Sequence, residues 1–106
     1  MGWFKRKPPP RFADAPSSQA VQHLERFTQN RRGVEAYVEP ETNVTAMTVV
    51  LVAHDGEWTR RTIGSARQAA KLAGRLGIPI YDVAAVGYPG RMREWTRQQK
   101  RKPAGA

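Results

Sequence analysis

The sequence predicts an α+β fold: a two-layer α-β-β-β-α body with a mainly antiparallel sheet, a short extra edge strand and a C-terminal helix. Three observations carry this. Capping signals and apolar residues at helical spacing bound a helix over 18–31. Two β-rich runs flank Asp55-Gly56, a strong hairpin signal. A second helical stretch, rich in alanine, lies between Gly64-Ser65 and Gly77.

The elements follow in chain order. Residues 1–16 form a basic, proline-rich arm. Pro8-Pro9-Pro10 and Pro16 favour extended polyproline II and exclude helix, so the arm is expected to be disordered. Ser17 or Ser18 caps the first helix, in which Ala20, Val21, Leu24 and Phe27 recur at helical spacing. Cations at Arg31-Arg32 and a stop at Gly33 close it. Val34 to Glu39 alternates and Pro40 ends it, giving the first strand. Thr45 to His54 is the second strand and Glu57 to Ile63 the third.

A two-residue type I′ turn at Asp55-Gly56 sets the expected hairpin register, with Val52 opposite Thr59 and Val50 opposite Arg61. One sheet face then carries Met47, Val49, Leu51, Ala53 and Trp58 as the core side. The other carries Thr48, Val50, Val52, His54, Glu57, Thr59 and Arg61, joined by Glu35, Tyr37 and Glu39 of the first strand. That second face is expected to be solvated, with Val50 and Val52 as its apolar patch. In this register Arg60 falls awkwardly on the core side, its stem buried and its head turned out.

Gly64-Ser65 opens the second helix, 65–76, whose apolar positions are Ala66, Ala69, Ala70, Ala73 and Leu76. Its outward face carries Arg67, Lys71 and Arg75 at a spacing of four. Ile78-Pro79-Ile80-Tyr81 reads as an edge strand, because proline cannot donate to a central ladder. Residues 82–86 fit either a helical turn or a loop. A last short helix starts near Pro89 or Gly90 and buries Met92 and Trp95. The resulting organisation is a disordered arm (1–16), one α+β domain (17–95) and a basic tail (96–106).

Charge is concentrated at the two ends. The chain carries +9 in 106 residues. Lys5, Arg6, Lys7 and Arg11 oppose only Asp14 at the start. Arg91, Arg93, Arg97, Lys100, Arg101 and Lys102 oppose only Glu94 at the end. The body between is nearly neutral. Clustered cations of this kind attract polyanions. Arginine supplies most of the positive charge and alanine is frequent, as a GC-rich genome also favours.

There is no cysteine, which excludes disulfides, a thiolate nucleophile and a cysteine metal site. The start has no apolar signal core, and the longest apolar run, Val49 to Ala53, has the length of a strand. These features lead to the expectation of a cytoplasmic protein.

Catalytic chemistry finds little footing. His23 and His54 are the only side chains that ordinarily titrate near neutral pH. His54-Asp55 resembles a dyad on paper, but neighbouring strand residues point to opposite faces and Asp55 is needed by the turn. His, Asp and Glu lack metal-ligand spacing. Gly87-Tyr88-Pro89-Gly90-Arg91 matches neither a dinucleotide fingerprint nor a P-loop, and reads as a turn into a helix. Trp3, Phe4 and Phe12 interleave with the basic residues of the first arm, which suits base stacking and equally shallow insertion at an anionic membrane surface.

Residues 33–95 contain the segments 33–40 (Gly33 to Pro40), 50–61 (Val50 to Arg61) and 86–93 (Val86 to Arg93). In these segments the chain resembles a group of short actinobacterial proteins without an assigned activity. That resemblance implies an origin and no mechanism. The order α-β-β-β-α is also similar to the double-stranded-RNA-binding domain, which reads A-form shape through its first helix, the loop after its first strand and lysines opening its second helix. The chain departs from that domain at two of these places. Its loop, Glu39-Pro40-Glu41-Thr42-Asn43, is acidic, and its second helix opens Ser65-Ala66-Arg67-Gln68 without a lysine pair.

The expectation is a non-enzymatic protein without cofactor or metal that binds nucleic acid, structured RNA or the ribosome in preference to DNA, through phosphate contacts. The candidate residues are Lys5, Arg6, Lys7, Arg67, Lys71, Arg75, Arg97, Lys100, Arg101 and Lys102, the arms and the helix stripe together presenting one positive surface. The alternative is a protein-interaction adaptor that docks through the Val50/Val52 face or an open strand edge. In that case the basic arms serve solubility or attachment to an anionic membrane surface.

Overall fold

The structure, a computed structural model, describes residues 15–101. The first arm, with Lys5, Arg6 and Lys7, and the end of the tail, with Lys102, therefore lie outside the described residues, apart from Ala15 and Pro16. The elements run α1 (Ser18–Gln29), β1 (Glu35–Glu39), β2 (Met47–Val52), β3 (Trp58–Gly64), α2 (Ala66–Leu76), β4 (Ile80–Asp82), α3 (Val83–Val86) and α4 (Gly90–Arg101). They build a four-stranded sheet in the order β3-β2-β1-β4. β1, β2 and β3 are antiparallel neighbours, and β4 lies parallel to β1 at the edge. The α+β class and the element order are those the sequence predicts.

Short-range chemistry sets the helix ends. The Ser17 hydroxyl accepts a hydrogen bond from the Ala20 amide at 3.0 Å, and the Ser65 hydroxyl accepts one from the Gln68 amide at 3.2 Å. Each satisfies an amide that the first turn leaves without a helical partner. α2 stops at Gly77, whose φ of 69° is left-handed.

α1 and α2 pack on one sheet face. Leu24 and Phe27 of α1 and Ala69 and Leu72 of α2 meet Val34, Ala36, Val49, Leu51, Ala53 and Ile63 in a continuous apolar core. The alanines on this side of α2 bring the helix close to the sheet. Leu72 is part of this core although the sequence pattern does not single it out.

The hairpin register differs from expectation by one residue. Ala53 N–H donates to the Glu57 carbonyl at 2.8 Å, and Gly56 N–H donates to the Ala53 carbonyl at 2.9 Å. The loop is therefore three residues, His54-Asp55-Gly56, with only Gly56 at positive φ (96°). The Asp55 side chain explains the choice. Its Oδ1 accepts from the Glu57 amide at 2.9 Å, which favours an ordinary turn followed by a left-handed glycine over a type I′ pair.

Because side chains alternate along a strand, one residue of slip exchanges the faces of β3. Val52 pairs with Trp58, Val50 with Arg60 and Leu51 with Thr59. Trp58 and Arg60 move to the second face, while Thr59 and Arg61 join the α1 side. The slip removes the awkward placement of Arg60. A bulge follows: Thr48 pairs with Thr62 but Met47 with Gly64. The intervening Ile63 returns to the first core, where it is fully buried.

The second face is not solvated. Val50 and Val52 are fully buried, in a cluster with Tyr37 and Met92 against which Trp58, Val83 and Tyr88 also pack. The cover is Val83 of α3, Tyr88, and Met92 of α4, and α4 continues through residues 96–101 where the sequence suggests a tail. Gln, Lys and Arg are good helix formers, and Lys100 and Arg101 sit favourably at the negative end of the helix dipole. Helices therefore lie on both faces of the sheet, and the Val50/Val52 patch is interior.

Candidate nucleic-acid interface

α4 is held by polar contacts around a small apolar centre. Arg91 donates from Nη2 to Glu35 Oε1 at 2.6 Å and from Nε to the Ala53 carbonyl at 2.9 Å. Tyr37 OH donates to the same Glu35 oxygen at 2.9 Å. The Trp58 indole N–H donates to Thr96 Oγ1 at 2.8 Å, linking β3 to the middle of the helix. Glu39 gathers a second group. It accepts from Arg60 Nε and Nη2 at 2.7 and 2.8 Å, from Thr48 Oγ1 at 2.6 Å and from Tyr88 OH. The Arg60 guanidinium also lies 5.2 Å from the Trp58 ring centroid, in cation–π range.

These contacts shift the titrating groups. The Arg91 guanidinium holds the Glu35 carboxyl below its ordinary value, with burial opposing and Tyr37 assisting. Burial by itself would raise the Glu39 carboxyl. The hydrogen bonds from Arg60, Thr48 and Tyr88 outweigh it and bring the group down to about 2. Burial, then the bond to Glu39, raises the Tyr88 phenol. Glu35, Tyr37, Glu39, Trp58, Arg60, Tyr88 and Arg91 thus meet on the second face of the sheet, where Arg91 and Trp58 fasten α4 to the strands.

Fastening one side of α4 fixes what the other side shows. Arg91, Met92, Trp95, Thr96 and Gln99 turn inward. Arg93, Arg97, Lys100 and Arg101 are exposed, with Glu94 the one carboxylate among them. Arg97 pairs with Glu94. Beside this stripe runs an open groove of about 340 Å³ lined by Tyr88, Met92, Arg93, Thr96, Arg97 and Lys100. Its floor is largely apolar and its rim cationic.

The candidate residues divide between two sides of the molecule. Arg67, Lys71 and Arg75 are exposed on α2, but Arg75 is paired with Glu25 of α1 at 2.7 Å. Arg97, Lys100 and Arg101 lie on α4, across the sheet from α2. The single positive surface expected from the sequence is therefore two separate surfaces. Arg93 joins the α4 stripe and is absent from the sequence-based candidates. Its signal is the helical spacing from Arg93 to Arg97 and on to Lys100 and Arg101, visible once the helix is carried beyond residue 95.

The histidines are far apart in role. His23 Nε2 lies 2.7 Å from Thr59 Oγ1, and His54 is an exposed loop residue beside an aspartate engaged in the turn. Among the described residues no group of three or more His, Cys, Asp or Glu side chains is placed to hold a metal ion. No described helix is long and apolar enough to cross a membrane.

Fold and site together define an α+β protein with a mixed four-stranded sheet and a basic helix bound across its second face. Comparison with protein-family models, with curated proteins and with solved structures gives no match.

Proposed function

We propose that this is a non-enzymatic nucleic-acid-binding protein of the cytoplasm, acting on RNA in preference to DNA through phosphate contacts of the outward face of α4. The supporting observation is the stripe Arg93, Arg97, Lys100 and Arg101 on a helix whose opposite side is fastened to the sheet. Over about 12 Å of helix, four cations meet one carboxylate. A fixed helix presents them without the ordering cost that a free tail carries on binding. Lys102 and the first arm, outside the described residues, add to the positive charge of the chain. The preference for RNA is an analogy from the element order α-β-β-β-α alone, to be decided by the binding test. The acidic loop after β1 argues that the contact surface is α4 and not the one used by the double-stranded-RNA-binding domain.

The test is fluorescence anisotropy with a labelled RNA hairpin, an unpaired RNA and a DNA duplex at low salt. Full-length protein should bind all three, the RNAs more tightly. R93Q/R97Q/K100Q/R101Q should weaken binding to each by an order of magnitude or more, by loss of phosphate contacts. Absence of binding by the full chain at low salt would remove the proposal.

A second reading, an interaction adaptor, draws support from the open edge of the sheet. Ile80, Tyr81 and nearby Val86 are 37, 38 and 59% exposed there. The buried Val50/Val52 face no longer serves this reading. Binding of a protein partner that survives high salt and is lost on Tyr81→Lys would favour it.

A further inference from the structure

We infer that the groove between α1 and β3 is a phosphate-binding site, with Arg26 and Arg61 as its charged ligands. It lies across the sheet from α4 and does not rest on the nucleic-acid reading.

The groove has a volume of about 550 Å³, and its lining is predominantly polar: Ser17, Gln19, Gln22, His23, Arg26 and Arg61. The two arginines arrive from different elements, Arg26 from the outer side of α1 and Arg61 from the edge strand β3. Arg61 owes its position to the three-residue hairpin loop, which turns it to the α1 side of the sheet. Among the described residues neither arginine is paired with a carboxylate, whereas neighbouring Arg31 is neutralised by Glu57 at 2.7 Å. Arg61 donates Nη1 to the Arg60 carbonyl at 2.6 Å, a contact that anchors the guanidinium without neutralising it.

His23 stands in the wall of the groove and registers this imbalance. Its ring is fixed by the 2.7 Å contact of Nε2 with Thr59 Oγ1. Burial first, then the charges of Arg61, Arg26 and Arg31, hold the imidazole below its ordinary value. The groups facing it are these three arginines and Thr59, and the carboxylate that engages Arg31 is Glu57, just before β3. The one carboxylate of α1, Glu25, is paired with Arg75 on α2.

Such a place is complementary to a compact, multiply charged anion with several acceptor oxygens. Two guanidiniums supply charge-assisted donors, and Ser17, Gln19 and Gln22 supply neutral ones. A phosphate group meets that description better than a carboxylate, which offers two oxygens and one charge. Two sources share this chemistry, a free anion and a nucleic-acid backbone, and the test separates them.

The two histidines allow a direct test on the full chain. The imidazole resonances of His23 and His54 are followed by NMR against pH, with inorganic phosphate or chloride at matched ionic strength. Phosphate is expected to shift the His23 resonance and raise its pKa, since a bound anion favours the imidazolium, while His54 stays unmoved. R26Q/R61Q, checked by circular dichroism for an intact fold, should weaken the phosphate response about tenfold or more, as expected for loss of charged hydrogen bonds. R97Q/K100Q on α4 should leave it unchanged. Displacement of phosphate by a short RNA would identify a backbone phosphodiester as the ligand source. Retention of the phosphate response in its presence would identify the free anion. Equal responses of His23 and His54, or an unchanged response in R26Q/R61Q, would overturn the inference.

Discussion

A Cβ on Gly56 would lie 2.1 Å from the carbonyl oxygen of Arg91 and 2.9 Å from the Cβ of Trp95. The hairpin loop therefore touches the backbone of α4, and the glycine is required for this approach as well as for its φ of 96°. Gly77 provides the contrast: its φ is 69°, but a Cβ there would meet nothing within 4 Å. Gly77→Ala should cost about 1 kcal/mol, from backbone strain alone. Gly56→Ala should cost about 3 kcal/mol or more, because the first turn of α4 must also shift. Urea denaturation of both variants checks the difference, and equal losses would show that the loop does not pack against α4. Glu39 is the second residue whose surroundings fix a measurable property. Its carboxyl falls from an ordinary 4.5 to about 2 in the folded chain. A depressed acid contributes stability above its unfolded value, and this is lost as the pH falls from 4.5 towards 2. Acid melts should show a decline across that window. Glu39→Gln should be less stable at neutral pH and lose less over the same window.

At the scale of elements, what was legible in the sequence is what short-range chemistry decides. Ser17, Ser65 and Gly77 mark helix ends through bonds or backbone angles within a few residues, and Pro79 marks an edge strand. The register of the hairpin was not legible in the same way. Asp-Gly fits both a two-residue and a three-residue loop, and the choice depends on whether the Asp55 side chain bonds the next strand's backbone. That single residue of difference reassigned Trp58, Thr59, Arg60 and Arg61, and with them both candidate sites. The extent of α4 was hidden for another reason. Beyond Trp95 it buries no large apolar side chain, so no hydrophobic period runs through 96–101, and its docking depends on contacts distant in sequence such as Trp58 with Thr96. The element nevertheless contributes Met92 to the cover of Val50, Val52 and Tyr37. A chain ending at Pro89 should expose that cluster, bind a hydrophobic dye and lose its sharp thermal transition. Retention of a cooperative melt without dye binding would show that α4 is dispensable to the fold.

At the scale of the whole molecule, the sheet separates two positive surfaces, α2 on one side and α4 on the other. A polyanion bound to one side does not reach the other without wrapping an edge. α4 offers Arg93, Lys100 and Arg101 with Arg97 engaged by Glu94, whereas α2 offers Arg67 and Lys71 with Arg75 engaged by Glu25. Removing residues 97–106 would be an ambiguous way to probe this, because it also removes the last turns of α4, so substitutions serve better. Each phosphate contact contributes roughly 0.7 to 0.9 to the slope of log affinity against log salt, through release of condensed counterions. R93Q/R97Q/K100Q/R101Q should therefore reduce the slope for RNA by about 3, while R67Q/K71Q should change it by less than about 1. If the cations act only through the overall +9 of the chain, charge removed from either side should count alike, and the slope lost per substitution would be the same on α2 and α4. A salt titration of the full-length protein and the two variants separates these cases, because localised contact predicts a loss confined to α4 and diffuse attraction predicts one shared between the faces.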